Sequence, residues 1–473
     1  MKQTILDMDA TTLAVKIKSG EITSEEATNT YIDHLQHVNP QLNAMVETRF
    51  DDARAEAKKC DEQIRNGLGK GKLFGVPISV KESFDAKGMK TTEGLLHRAN
   101  HVATKDAYVV AKLLEEGAII LGKTNTPTLC MCQETDNKVY GRTNNPWDLT
   151  RTVGGSSGGE GAIIAVGGAA VGIGADIGGS IRFPAHFNGI IGFKSGNEQV
   201  SDDGLFPETE HPLQRRMLGI GAMAKSVDDA EMMNDIIARE LPNEVVSSSY
   251  KLIFPPVHPK YPMGAETLQL IEEMKSFFSN LYEVEESYPP SFERVALLWQ
   301  LFMSIGGGKK LAKKSVGSST RAVTQYIKEI TTSKSDTHRY LSWALIGMNL
   351  FKPNAKQVEQ FHIEMQQLDK DCERYMDHAV MVLPVYHRTA LPHGELYKEI
   401  FSIRKTYLKY MPYNSVANVL GLPALTIPVG TDKDGLPIAV QLISSNGNEK
   451  ALFHFGRIIE QQFRGYVRCT KLD

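Results

Sequence analysis

Residues 151–194 read RTVGGSSGGEGAIIAVGGAAVGIGADIGGSIRFPAHFNGIIGFK. Two serine-bearing glycine clusters, 154–159 and 178–180, lie on either side of an apolar run of alanine, isoleucine, valine and glycine. Glycine loses more conformational freedom on folding than any other residue, so this density favours backbone at positive φ or in close approach to another group. We therefore predict that the rest of the chain supports this stretch and that one of its serines is a nucleophile.

Short buried strands alternate with amphipathic helices around this stretch. Apolar spacing predicts helices through most of residues 1–70 and at 106–116, 159–166, 227–241, 268–281, 292–305 and from 449 onward. Predicted strands lie at 74–80, 118–123, 170–173, 251–254, 380–385, 422–429 and 437–442. This alternation predicts an α/β fold with three α/β/α layers, in which helices cover both faces of a central mixed β-sheet.

The chain has 473 residues, a length that by itself would suggest about three domains. No Ser/Pro-rich linker, charge block or internal repeat divides it, so we predict a single domain over 1–473. Within it we expect an N-terminal helical layer (1–70), a catalytic core (71–200), a variable substrate-pocket region (200–400) and C-terminal core strands with a helix (400–473).

Composition limits the classes of partner. The 53 basic and 56 acidic residues give a net charge of -3, which offers no basic surface for nucleic acid or an anionic membrane. The one basic cluster, Lys309, Lys310, Lys313 and Lys314, is typical of a solvated helix face. Membrane contact through the apolar helix at 292–305 is allowed but not favoured over a core helix.

Cysteine usage and apolar length indicate the compartment. Five scattered cysteines favour free thiols in a reducing environment, and no histidine or second cysteine pair completes a metal site beside Cys130 and Cys132. The first residues carry acids where a signal peptide needs an apolar core. The longest apolar stretch, 161–175, is too short for a membrane span of about 20 residues. We therefore expect a cytoplasmic protein with no metal.

The first serine cluster matches more than one pattern. Residues 154–158, GGSSG, fit G-x-S-x-G, the nucleophile elbow of α/β-hydrolases. An elbow needs a strand leading directly into it, whereas residues 144–151 resemble a loop. A phosphate-binding P-loop is excluded because no Gly-Lys-Ser/Thr follows the glycines. An esterase of the α/β-hydrolase type stays open as an alternative.

The run from Gly154 to Lys194, with GVPISVK at 75–81 and GKTNTP at 122–127, resembles the signature of the amidase signature family of serine hydrolases. Weaker similarity continues through 140–146 and the C-terminal GLPALTIPVG and GLPIAVQL segments. The resemblance covers most of the chain outside 200–400. Lys81-Glu82-Ser83 and the SIRFP run ending at Pro184 are more similar to the fatty-acid amide hydrolase branch than to the transamidase branch.

The resemblance implies a Ser-Ser-Lys triad. Ser180 would be the nucleophile, Lys81 the base, and Ser156 the bridging serine after a cis Gly155–Ser156 peptide. A lysine with an ordinary pKa of about 10.4 accepts a proton near neutrality only if burial disfavours its charge. The end of an apolar strand supplies that burial. The oxyanion hole would consist of the backbone N–H groups of Ile177, Gly178, Gly179 and Ser180.

Neighbouring positions receive supporting roles. We expect Ser157 to support Lys81 from behind the triad, and Asp176 and Arg182 to brace the nucleophile loop as a pair. An apolar acyl or aryl pocket would be lined by the helix at 292–305 and by Cys130, Met131, Cys132 and Gln133. Two positions depart from the family pattern: Ala175 replaces a hydroxyl residue, which predicts a missing hydrogen bond near the lysine, and Ser195 replaces a proline.

These inferences predict an amidase that cleaves a linear carboxylic amide through an acyl-enzyme, without a metal or organic cofactor. The expected partner is a small-molecule amide, with no obligate protein partner; a homodimer is compatible with the sequence. One alternative is the glutamine-hydrolysing subunit of a tRNA-dependent amidotransferase, disfavoured because no charged substrate clamp is evident. Another is a binding protein without turnover, disfavoured because all three triad positions are filled.

Overall fold

The computed structural model describes residues 2–209, 211–241, 250–401 and 404–473. The strands are β1 Met45–Thr48, β2 Pro77–Lys81, β3 Ile119–Thr124, β4 Asp136–Asn137, β5 Gly141–Arg142, β6 Asn144–Asn145, β7 Asp148–Thr152, β8 Val171–Asp176, β9 Ile191–Lys194, β10 Gly219–Ala224, β11 Lys251–Ile253, β12 Val284–Glu285, β13 Ala379–Pro384, β14 Ala424–Thr431 and β15 Pro437–Ile443. The helices are α1 Lys2–Asp7, α2 Ala10–Ser19, α3 Ser24–Leu42, α4 Phe50–Arg65, α5 Tyr108–Glu115, α6 Gly158–Ala165, α7 Arg182–Asn188, α8 Pro212–Arg215, α9 Val227–Ile237, α10 Ala265–Ser279, α11 Phe292–Met303, α12 Lys309–Ser315, α13 Ser319–Thr332, α14 Arg339–Leu350, α15 Ala355–Tyr375, α16 Glu395–Phe401, α17 Arg404–Tyr410, α18 Pro412–Val419 and α19 Glu449–Gln462.

One mixed sheet organises the described chain. Its 11 strands follow the order β1-β3-β2-β8-β10-β9-β14-β15-β13-β11-β12, and helices pack around it. Strands from all four predicted segments share this sheet. The predicted α/β fold is confirmed.

The signature stretch lies in the middle of this sheet. Strand β2 is parallel to both β3 and β8, so the carboxyl ends of β2 and β8 meet at one edge. Every residue of β2 and β8 is buried, as expected for parallel strands covered on both faces. Helix α6 between them is also buried along its whole length and packs on β2 and β8. The edge therefore brings the lysine that ends β2 close to the loop that follows β8.

Two expectations about the fold are wrong, and a third is incomplete. The N-terminal layer is helical over α1 to α4, as expected, but it also contains an edge strand, β1, which pairs antiparallel with β3. Residues 144–152 are not a loop but form the small β6–β7 sheet. The helix predicted at 227–241 ends at Ile237. The region 200–400 also contains strand β10 and helices α12 to α16, which no sequence motif predicted.

Candidate active site

Three predicted catalytic side chains face one cavity. Lys81 ends β2, Ser156 precedes α6, and Ser180 follows β8, and all three line a cavity of about 680 Å³. The Lys81 Nζ donates a hydrogen bond to Ser156 Oγ at 2.8 Å. Lys81 and Ser156 are each 1% exposed, and the Gly155–Ser156 peptide is cis. The amine and the bridging hydroxyl are therefore within one proton transfer of each other.

Burial sets the ionisation of Lys81. It lowers the pKa of this amine below its ordinary value, and the neighbouring Cys130 thiol and the charges of Asp176 and Glu160 oppose that shift. The Nζ also contacts the carbonyl oxygen of Ala175 at 3.4 Å. Burial disfavours the charged form of lysine. The environment thus favours the neutral amine that a general base requires.

Ser157 lies behind this pair. Its Oγ donates to the Ala175 carbonyl at 3.4 Å, the same acceptor that Lys81 contacts. Its backbone N–H donates to the carbonyl of Ser180 at 3.1 Å. Within the described residues no direct hydrogen bond joins Ser157 to Lys81, and the Ala175 carbonyl is the acceptor that they share. At position 175, where alanine replaces the hydroxyl residue of the family pattern, the backbone carbonyl contacts the Lys81 amine in place of a side-chain hydroxyl.

Asp176 and Arg182 form the pair expected beside the nucleophile. Both side chains are fully buried, and Arg182 Nε lies 3.0 Å from Asp176 Oδ2. Burial alone would raise the pKa of Asp176, but the Arg182 charge and its hydrogen bonds outweigh burial and hold that pKa below its ordinary value. The carboxylate also accepts from the Gly179 N–H at 2.7 Å and the Ile181 N–H at 3.1 Å. The pair fixes the loop that carries Ser180.

This network changes the predicted oxyanion hole. Because the Gly179 N–H donates to Asp176, it is not free to bind a developing oxyanion. The N–H groups of Ile177, Gly178 and Ser180 have no acceptor among the described residues. Three of the four predicted N–H groups are therefore available to bind an oxyanion. Gly179 has a φ of 97°, a backbone conformation that favours glycine.

Apolar side chains form most of the cavity wall beyond the triad. They include Leu205, Phe206, Met303, Ile305, Leu311 and Met348. Two of them come from the end of the region 292–305 that was expected to line an acyl pocket. A wall of this kind buries apolar parts of a ligand favourably.

The four predicted pocket residues divide into two groups. Cys130 and Met131 line the cavity. Cys132 is buried instead against Tyr340 and Tyr397, and Gln133 is buried with its Nε2 donating to the carbonyl of Gly178 at 2.9 Å. The expectation that Cys132 and Gln133 line this cavity is therefore wrong.

Basic residues on α12 also line the cavity. Lys309, Lys310 and Lys314 are part of its wall, together with Glu208 and His211. Lys314 Nζ lies 2.9 Å from Glu93 and 4.5 Å from the centre of the Phe206 ring. Lys309, Lys310 and Lys313 are exposed, as expected of a solvated helix face, and the finding that three lysines of this cluster also line the cavity was not given by any local pattern.

The nucleophile-elbow alternative does not fit the backbone. Strand β7, the last before the G-x-S-x-G pattern, belongs to the separate β6–β7 sheet and ends at Thr152. An elbow requires a strand of the main sheet leading directly into the nucleophile. The α/β-hydrolase hypothesis is therefore rejected.

All five cysteines are free thiols, which confirms that part of the prediction. In the described ranges, none of the helices has the length and apolar character to cross a membrane.

Known proteins are similar to this chain in sequence. The amidase family profile matches residues 26–453. Fatty-acid amide hydrolase 2-B from Danio rerio is 33% identical over 497 residues, covering 98% of this chain and 91% of the relative. A glutamyl-tRNA(Gln) amidotransferase subunit from Prochlorococcus marinus (strain NATL2A) is 30% identical over 489 residues, covering 98% of each chain.

Solved structures give the same picture of the fold. A fatty acid amide hydrolase aligns with a TM-score of 0.82 at 21% identity, covering 99% of this chain and 87% of that one. A 6-aminohexanoate cyclic dimer hydrolase complexed with substrate aligns with a TM-score of 0.79 at 23% identity, covering 99% and 100%. Family profile and relatives agree with the resemblance carried by the glycine-serine signature, and the chain belongs to the amidase family.

Proposed function

We propose that this protein hydrolyses a linear carboxylic amide with an apolar acyl or aryl group, giving an acid and ammonia or an amine through an acyl-enzyme on Ser180. The observation that carries this proposal is the 2.8 Å hydrogen bond between the buried Lys81 amine and Ser156. Ser180 lines the same cavity as that pair. The proposal needs no metal, organic cofactor or obligate protein partner.

The reaction follows from the order of these groups. Neutral Lys81 takes a proton from Ser156, which takes one from Ser180 as its Oγ bonds to the carbonyl carbon. The resulting oxyanion accepts hydrogen bonds from backbone N–H groups, each of which typically contributes about 3 kcal/mol to barrier lowering. Ser156 then protonates the nitrogen as the C–N bond breaks and takes a proton back from the Lys81 ammonium. Water hydrolyses the acyl-enzyme by the reverse proton path.

A labelling experiment tests the nucleophile. An alkyl fluorophosphonate should phosphonylate Ser180, with loss of fluoride, and Ser180→Ala should abolish labelling. Ser279→Ala, at an exposed position on α10, is the matched control and should label like the unsubstituted protein. Equal labelling of Ser180→Ala would reject the assignment of Ser180.

A substrate panel tests the reaction class. Short-chain, aryl and long-chain amides are compared by release of ammonia or amine. We expect the highest kcat/KM with apolar acyl groups, because apolar side chains dominate the cavity wall. Absence of amide hydrolysis across the panel, despite specific labelling of Ser180, would reject this function.

A second candidate is glutamine hydrolysis for an amidotransferase. It is favoured by the 30% identity to a relative named as part of a glutamyl-tRNA(Gln) amidotransferase. The sequence showed no obvious charged substrate clamp, which disfavoured this candidate, but the charged residues Lys309, Lys310 and Glu208 line the cavity. Adding glutamine to the panel separates the two candidates: a higher kcat/KM for glutamine than for every apolar amide would favour this second function.

A further inference from the structure

Each of the three tryptophans donates its indole N–H to a backbone carbonyl, but only one of those carbonyls belongs to the nucleophile loop. Trp299, on α11, donates to the carbonyl of Ile177 at 2.6 Å across 122 residues of sequence. Trp147 donates to Asn188 at 2.8 Å, and Trp343 donates to Phe401. The Trp299 contact therefore ties a helix outside the signature to the loop that supplies the oxyanion donors.

A hydrogen bond to one carbonyl sets the direction of the next amide. The C=O of Ile177 and the N–H of Gly178 belong to one planar trans peptide and point to opposite sides. Because Trp299 binds the carbonyl on one side, the Gly178 N–H is directed to the other side. That N–H is one of the three available oxyanion donors described above.

The neighbouring peptide planes are held by other groups. The Gly178 carbonyl accepts from Gln133 Nε2 at 2.9 Å, and the Gly179 N–H of the same peptide donates to Asp176 at 2.7 Å. The Gly179 carbonyl accepts from the Phe183 N–H at 2.7 Å, which orients the Ser180 N–H in the same manner. Among the described contacts, only Trp299 holds the Ile177 carbonyl by a side-chain hydrogen bond.

The indole itself is fixed in place. Its ring stacks on Tyr407, with centroids 5.2 Å apart and an interplanar angle of 22°. It also packs so closely on Gly178 that a Cβ there would lie 2.6 Å from the indole Cζ2. The indole N–H therefore has little freedom to follow a displaced Ile177 carbonyl. A fixed position of this kind is what the positioning of an oxyanion donor requires.

We infer that Trp299 is a positioning residue for catalysis, which orients the Gly178 N–H toward the oxyanion through the Ile177 carbonyl. This inference rests on the proposed function, because it assigns a task within acyl transfer to Ser180. It deepens that function by placing an essential support for the oxyanion hole on α11.

The test compares matched tryptophan variants. Trp299→Phe removes the N–H but keeps an aromatic ring beside Tyr407, and Trp147→Phe makes the same change away from the site. The rate constant for labelling by an alkyl fluorophosphonate is measured first, since its phosphonyl oxygen occupies the position of the oxyanion. Kinetics with decanoyl p-nitroanilide then give kcat and KM separately.

We expect Trp299→Phe to lower the labelling rate constant and kcat by about 10- to 100-fold, somewhat less than outright loss of a donor. KM and the pH midpoint of labelling should stay near those of the unsubstituted protein, because neither the acyl wall nor Lys81 is changed. For Trp147→Phe, the labelling rate constant, kcat and KM should each stay within about twofold of those of the unsubstituted protein.

Other results overturn the inference. Labelling of Trp299→Phe at the unsubstituted rate would show that the N–H has no such task. A raised KM with unchanged kcat would place Trp299 against the acyl group, and a shifted pH midpoint would make it act on Lys81. If Trp299→Phe fails to fold, replacement by 3-benzothienylalanine keeps the indole shape without the N–H and must show the same loss. If the unsubstituted protein neither labels nor turns over, the proposed function fails and this inference fails with it.

Discussion

Replacing Arg182 by methionine should destabilise the protein strongly, because it strands a buried charge. The guanidinium makes bonds to both oxygens of Asp176 at 3.0 and 3.1 Å, to the Asn414 carbonyl at 2.7 Å and to Gln441 Oε1 at 2.8 Å. It also donates to Asn418. Breaking a buried ion pair by removing one partner typically costs about 3–5 kcal/mol. We expect a loss of that size in the free energy of unfolding at neutral pH.

The pH dependence of this loss carries the sharper prediction. In the unsubstituted protein the Asp176 pKa lies below its unfolded value, so its stabilising contribution is present above the unfolded pKa and is lost as pH falls toward the folded pKa. Without Arg182, burial is no longer outweighed and the pKa of Asp176 should rise above the unfolded value. Protonation then relieves the stranded charge, so the stability deficit should shrink on acidification.

The assay is urea denaturation at about pH 7 and about pH 5.5. Arg294→Met removes a partly exposed pair with Glu364 and, as the control, should cost at most about 1 kcal/mol. Asp176→Asn combined with Arg182→Met should be less destabilised than the sum of the single changes. An Arg182→Met deficit below about 1 kcal/mol, or one that does not shrink at the lower pH, would refute the reasoning.

Three further changes should have distinct effects. Lys81→Met should lower the fluorophosphonate labelling rate at neutral pH by at least about 100-fold, with a smaller deficit at high pH, and equal rates would remove Lys81 from the mechanism. Gly172→Ala should lower the urea midpoint because its Cβ would overlap Glu160 Oε2, whereas Gly347→Ala on α14, with nothing within 4 Å, should not. Burial lowers the pKa of Lys194 to about 7, so above that pH the unfolded chain binds more protons than the folded protein does. The free energy of unfolding should therefore rise from about pH 7 to about pH 10, and Lys194→Met should flatten that rise.

The local sequence pattern was enough to predict an element when the residues that determine it lie within one short segment. Strand β2 is a short apolar run that ends at Lys81, and β14 and β15 flank the Asp434-Gly435 turn, with Gly435 at φ 79°. Both were predictable because strand length, turn residues and burial all agree within a few residues. The resemblance to a known signature then related Lys81, Ser156 and Ser180, which lie far apart in the chain.

Elements defined by distant partners could not be predicted in this way. Strand β1 is four residues long and exists through its pairing with β3, some 75 positions later. Gln133 and the helix that carries Trp299 were assigned to an acyl pocket from position alone, yet the polar atoms of Gln133 and Trp299 hold carbonyls of the nucleophile loop. Such roles depend on which way a side chain points in the folded protein, and the periodicity of the sequence does not give that direction.

A lowered lysine pKa does not by itself identify the base of this site. Burial lowers the pKa of Lys81, Lys123, Lys194 and Lys225 alike. Lys194 and Lys225 donate to backbone carbonyls, and Lys123 donates to a carbonyl and to Thr91. Of these four amines only Lys81 both lines the cavity and donates to a serine hydroxyl that lines it too. Desolvation keeps an amine neutral and so able to accept a proton, but the proposed role of Lys81 as the base also requires a hydroxyl through which that proton can pass.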